Sequence, residues 1–411
     1  MADRLNIHLY KLLSAFSMAM DYNRYGMMRH HQRVALLALY MAEELQLSAE
    51  EYLPLFCSAI IHDAGSSTFR EKASLEYFEV NNPWKHCERG YKLLNSVRIL
   101  KPLADIVRYH HDNWNGQNLS GLSGDSIPLA SRIIYLTDRV DVLSQKPGNI
   151  LDHRDEIVKK IQSKSGTMFD PGLVEAFSRI AQKECLWLDL TNQFIQSRLE
   201  LKLGNCPVTV NQDEITGISL IFSQIIDGKS PFTFRHSRLV AEVAKLLAEK
   251  TGFDREQQNN MYVAGLLHDL GKLSIPDEIL EKPGKLNSVE YNLIKQHTYI
   301  TYQILSNIDC FEDINSWASY HHEKLDGTGY PFRLAGKDLP HGSRMMAVAD
   351  IFSALVEDRP YRKGMSRNEI EKILTGQVKT QAIDGEIVDL LLNHYREAED
   401  LKEITWGREE T

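Results

Sequence analysis

Five landmarks built from histidine and aspartate recur in the same order in the two halves of this 411-residue chain. A repeat on that scale fixes the organisation before any single segment is read. The first half opens on His31-Gln32-Arg33-Val34 and the second on His236-Ser237-Arg238-Leu239. An apolar stretch ending in His-Asp follows, His62-Asp63 after 31 residues and His268-Asp269 after 32. A single histidine comes next, His86 or His297, and 24 residues beyond each stands a pair, His110-His111 or His321-His322. Asp138 and Asp350 close the series, 27 and 28 residues past those pairs. Even the tails agree, Phe169-Asp170-Pro171 with Ile383-Asp384-Gly385. The chain reads as two tandem domains, 1–205 and 206–411, joined where Gly204-Asn205-Cys206-Pro207 interrupts the helical pattern.

Within each half the apolar residues fall at helical spacing, as in Leu239, Val240, Val243, Leu246 and Leu247, and no sustained alternation marks a strand. The expected fold class is all-α. Pro83 precedes the helix that carries His86, residues 115–128 read as a loop, and Asn287 or Ser288 caps a helix with Glu290 in its first turn.

A net charge of -9 argues against a nucleic acid polymer as partner, because that affinity comes from Lys and Arg neutralising phosphates. A small anionic ligand stays compatible, since bound metal ions reverse the local field. The five cysteines are scattered and never spaced as C-x-x-C, which signals neither a disulfide framework nor a thiolate zinc site and suits a reducing cytoplasm. No apolar run is long enough to span a membrane.

A lone His-Asp dipeptide says little, but ten of the fifteen histidines stand at corresponding positions of the repeat, and packing gives no reason for that agreement. Imidazole and carboxylate without thiolate suit Fe, Mn or Zn. Six or seven such ligands exceed the need of one tetrahedral ion. They suit a pair about 3.5 to 4 Å apart, the arrangement used for in-line displacement at phosphorus. His268 and Asp269, adjacent in sequence, can share one cluster only where a helix ends.

The second half resembles the HD-GYP family over roughly residues 212–395. It carries His268-Asp269-Leu270-Gly271-Lys272, then His321-His322 with Gly327-Thr328-Gly329-Tyr330-Pro331, and later Asp358-Arg359-Pro360-Tyr361-Arg362. The resemblance implies a phosphodiesterase that opens a cyclic dinucleotide, cyclic di-GMP or 3′,3′-cyclic GMP-AMP. The products are linear dinucleotide or mononucleotides, made by a hydroxide that two divalent ions activate. Fe and Mn are the implied metals, with Zn and Ni as alternatives. Its implied metal ligands are His236, His268, Asp269, His297, His321, His322 and Asp350, with Asp269 bridging. Lys272 would act with Asp269 in catalysis and on the phosphate. Gly329, Tyr330, Pro331, Arg359 and Arg362 would contact substrate. Two departures stand out: Phe232 lies where some members carry a metal-binding Glu, so two ions are expected, and Ser353 replaces a usual Asp.

The first half resembles the wider HD superfamily. His31, His62, Asp63, His86, His110, His111 and Asp138 reproduce the ligand set as a second candidate metal site, but Ser66 stands where Lys272 would be and no Gly-Tyr-Pro loop follows His111. Regulation or homodimerisation is the expected use of that half. A non-catalytic cyclic dinucleotide receptor or scaffold is the alternative for the whole chain. A mononucleotide phosphohydrolase is disfavoured by Gly329-Tyr330-Pro331.

Overall fold

The computed structural model describes residues 7–23, 26–66, 68–80, 82–191, 194–204, 208–229, 236–358 and 363–407. Helices account for nearly all regular structure there, and the strands are two-residue pieces such as Tyr22–Asn23 against Gly26–Met27. The fold is all-α. The chain divides into two compact units, one from His8 to Thr209 and one running on from Val210.

Each unit is built around one apolar helix. In the first, His30–Glu44 buries Val34 through Leu39 completely and packs against Ala49–Ala59 and Leu129–Ser144. In the second, His236–Lys250 puts Leu239, Val240, Val243 and Leu247 inside, with Leu246 at the margin, and packs against Arg255–Leu267 and His341–Val356. Burying one such side chain stabilises by roughly 1.5–3 kcal/mol, so these stripes fix which face of each central helix turns inward. Gly265 allows the closest approach: a Cβ there would lie 2.4 Å from Ala241 Cα.

Helix starts follow local chemistry. Asn287 caps Ser288–Leu305 by accepting the Glu290 N–H, while the Glu290 carboxylate accepts the Asn287 N–H. Trp84–Asn95 starts directly after Pro83, and residues 115–128 hold only the short turn Gly124–Ser126. Among the described residues no helix is long and apolar enough to cross a membrane.

Candidate metal centre and adjoining groove

The helix Arg255–Leu267 stops at His268, and a tight 3-10 turn, Leu270–Ser274, takes over. That change of direction lets two consecutive residues, His268 and Asp269, turn inward and be buried together. His297 comes from the middle of Ser288–Leu305, His321 and His322 from just beyond Glu312–Ser319, Asp350 from His341–Val356, and His236 opens its own helix. Gly271 is required for the assembly, because a Cβ there would sit 2.0 Å from the His297 carbonyl oxygen.

Backbone carbonyls set the tautomers. Nδ1 of His268 donates to the Gly265 carbonyl at 2.7 Å, that of His297 to Ile294 at 2.6 Å and that of His321 to Ala318 at 2.7 Å. A carbonyl only accepts, so each ring holds its proton at Nδ1 and presents a bare Nε2 to the interior. His297 Nε2 and His321 Nε2 lie 3.4 Å apart, while His268 Nε2 and Asp269 Oδ1 are buried without a hydrogen-bond partner. Unpartnered acceptors converging out of water are costly unless a cation joins them.

The donor atoms fall into two outer clusters, His236 with His268 and Asp350, and His297 with His321 and His322, with His268, Asp269 and His321 grouped between them. Asp269 reaches both, its Oδ2 3.1 Å from His268 Nε2 and its Oδ1 3.4 Å from His297 Nε2. Imidazole and carboxylate in these numbers fit divalent metal.

Charge is finely divided around the cluster. Burial pulls the His236 imidazole down, but Glu357 on Nδ1 at 2.9 Å and Asp350 on Nε2 at 3.1 Å outweigh it and raise its pKa to about 10. Burial lowers His297 to about 3 and depresses His321 and His322. Asp269 is held well below the carboxylate range: burial opposes ionisation, and His268 and Lys272 overcome it. Lys272 Nζ is ion-paired with Asp269 Oδ2 and is partly exposed.

Beside the centre runs a groove of about 590 Å³ lined by Tyr291, Lys295, Tyr299, Gly329, Tyr330, Pro331 and Arg333, among others. Tyr330 connects the two, its ring 4.9 Å from that of His322 and 6.3 Å from that of Tyr291. Lys295 Nζ stands 4.7 Å from the Tyr291 ring centre. Glu323 fastens the loop by accepting the N–H groups of Phe332 at 2.6 Å and of Arg333 and Leu334 at 3.1 Å. Gly329 is seated on the backbone, since a Cβ there would lie 2.4 Å from Glu323 Cα. Arg359, Arg362 and Phe232 lie outside the described residues. Ser353 is fully buried.

In the first unit His62, Asp63, His86, His110 and His111 come together as well, in the clusters His30, His62, Asp63 and Asp63, His86, His110, His111. One expected ligand, His31, is placed differently. His31 directs Nδ1 at Asp21 Oδ1, 2.5 Å away, and His30 takes the inward position, its Nε2 3.3 Å from His62 Nε2. Asp138 accepts from the buried Arg139 through Oδ2 at 2.6 Å and keeps Oδ1 at the cluster, 3.5 Å from His30 Nε2. Neighbours on a helix point about 100° apart, so only one of His30 and His31 can face the cluster.

His30, Glu357, Tyr291 and Lys295 were not expected from sequence. The interval gave one signal: 32 residues separate His30 from His62, the same as His236 from His268.

The chain matches the family model described as HD domain twice, over residues 15–173 and 221–387. It is 34% identical over 405 residues to the 3'3'-cGAMP-specific phosphodiesterase 1 of Vibrio cholerae, covering 95% of this chain and 92% of that one. It is 38% identical over 176 residues, 42% of this chain and 45% of the relative, to the cyclic di-GMP phosphodiesterase response regulator RpfG of Xanthomonas campestris pv. campestris. A crystal structure of the Vibrio cholerae cyclic GMP-AMP phosphodiesterase V-cGAP3 superposes with a TM-score of 0.68 at 25% identity, covering 95% of this chain and 98% of that one. With both halves matched and a relative aligned along nearly its whole length, the chain belongs to the HD-domain family of metal-dependent hydrolases and carries the domain twice.

Proposed function

We propose that the second domain, residues 206–411, is a phosphodiesterase that opens 3′,3′-cyclic GMP-AMP, with cyclic di-GMP as the other candidate substrate, in a reducing cytoplasm. The observation that carries this reading is the Tyr330 ring set between a double cluster of metal-type ligands and a groove holding aromatic rings and a lysine. The name of the relative aligned over nearly the full length supports cyclic GMP-AMP, and RpfG supports the second candidate.

His236, His268 and Asp350 would hold one divalent ion and His297, His321 and His322 another, with Asp269 shared; Fe or Mn is proposed, with Zn or Ni as alternatives. Two such ions lower the pKa of bound water and neutralise charge developing on the phosphate. The protein supplies the rest. Lys272 is held by Asp269 Oδ2 at the edge of the cluster, where its ammonium can donate to a non-bridging phosphate oxygen. Tyr330 and Tyr291 offer faces on which a purine stacks, a contact worth about 1–3 kcal/mol per base. Lys295, above those rings, suits the second phosphate. Attack by water breaks the P–O3′ bond and leaves a 5′-phosphate and a free 3′-hydroxyl.

Purified protein loaded anaerobically with Fe or Mn is assayed against both cyclic dinucleotides, and products are resolved by chromatography. Linear dinucleotide or mononucleotides are expected, and His268→Ala with Asp269→Ala should abolish both cleavage and metal retention by this unit. Tight binding without cleavage, in protein of verified metal content, would make the chain a receptor instead.

A further inference from the structure

We infer that Arg333 determines specificity in the groove of the second unit by donating to the O6 and N7 acceptors of a guanine base. This rests on the substrate reading proposed above and adds to it the base that the groove selects and the residue that selects it.

Arg333 adopts φ 58, a conformation that side chains rarely take and glycine takes freely. Glu323 holds it there. The Glu323 carboxylate, buried directly after the His321-His322 pair, accepts the N–H groups of Phe332, Arg333 and Leu334. Three successive amides turned onto one carboxylate tie this backbone to the segment that supplies two candidate metal ligands. A position where glycine would be least strained therefore carries a guanidinium. Among the described residues that guanidinium has no hydrogen-bond, ion-pair or ring partner, and it lines the groove.

The described lining of the groove includes Lys295, Lys324 and Arg333 and no carboxylate, which suits an electron-rich ligand even in a chain of net charge -9. Two aromatic stations lie along it, Tyr291 with Tyr330, and Tyr299 backed by Phe332 at 6.0 Å between ring centres. Tyr291 and Tyr299 stand on the helix Ser288–Leu305, about 12 Å apart along its axis, and each is roughly half-exposed. The two bases of one cyclic dinucleotide would rest on separate stations. Lys272 at the cluster and Lys295 over the first station provide for the phosphates, which leaves Arg333, next to Phe332 in the chain, for the base on the second.

Arginine carries N–H donors only. Guanine presents O6 and N7 side by side to such a fork, whereas the N6 amino group of adenine would oppose donor to donor. Asn292, next to Tyr291, has an amide that both donates and accepts, which suits adenine at the first station. The mixed dinucleotide thus meets a matching group at each end.

The test compares cleavage of 3′,3′-cyclic GMP-AMP with that of its 7-deazaguanine analogue, in which C–H replaces the N7 acceptor. Both are given to the native chain and to Arg333→Ala, each loaded anaerobically with Mn. Alanine keeps the Cβ, so the backbone at this position has the same conformation to sustain. The native chain should favour the parent compound by about tenfold in kcat/KM, and Arg333→Ala should lose that preference. An equal preference in both proteins, or none in the native chain, would overturn the assignment and leave the proposed activity standing. Failure of the metal-loaded native chain to cleave either compound would overturn the substrate reading itself, and the assignment with it.

Discussion

The Nε2 atoms of His297 and His321 face each other at 3.4 Å with no proton between them, because each ring has committed its Nδ1–H to a carbonyl three residues earlier. Two lone pairs held in this way favour any ligand that can accept both, so metal binding and folding are coupled. Chelation should lower the unfolding temperature of this unit. At a free metal concentration of about 100 Kd the linkage amounts to about 2.7 kcal/mol. For a unit of this size that corresponds to a shift of roughly 5–11 °C, read by calorimetry with and without chelator and reversed by Mn or Fe.

Metal-free protein should lose stability on the acid side through the same histidines. The folded pKa of His297, lowered by burial to about 3, lies below the free value of 6.5. Between about pH 3 and 6.5 the unfolded chain therefore binds more protons, so the contribution is full above 6.5 and is lost as the pH falls through that window. His236, raised to about 10, acts oppositely: its contribution is present below 6.5 and is lost as the pH rises through 10. Asp227, which burial raises to about 7, works against the acid-side slope. Comparison of urea midpoints from pH 4 to 7 for the native chain and His297→Gln isolates the first effect. The variant should show the shallower dependence, and parallel curves would remove His297 from the account.

Glu357 touches no other candidate ligand of the cluster and still governs one, by accepting from His236 Nδ1 at 2.9 Å. Groups that orient a metal-binding histidine in this way are worth about 10- to 100-fold in metal affinity or activity. Glu357→Gln keeps the shape and removes the charge. Weaker metal binding by that factor, with the unit still folded by circular dichroism, is the expected result in a competition titration.

The repeat was visible in sequence because ligands that meet at one cluster must keep their order and spacing in both copies, and ten histidines did so. Which member of the His30-His31 pair faces inward was harder to read. The local match of His31-Gln32-Arg33 to His236-Ser237-Arg238 pointed to His31, and the structure puts His30 in that place with His31 turned to Asp21. The rotational setting of the helix decides this, and packing against distant segments fixes that setting. Glu357 and Lys295 were silent for a related reason: a charged residue at a helix end or on a partly exposed face has no periodic signature until its partner is known.

Gly329 offers the sharpest test of the groove. A methyl group at that position would lie 2.4 Å from Glu323 Cα and 2.5 Å from Lys324 N, and these nearest atoms are backbone, with no flexible side chain among them to yield. Relief to an ordinary contact needs a displacement on the order of 1 Å, which would loosen the Glu323 clamp and carry Tyr330 away from His322. Misplacement of a positioning element by about that distance costs on the order of a hundredfold in rate. Gly329→Ala should thus depress kcat/KM for the cyclic dinucleotide by about that factor while metal content stays unchanged, since no metal-type ligand lies on the loop. A parallel loss of metal would mean that the loop supports the cluster itself and not only the bound substrate.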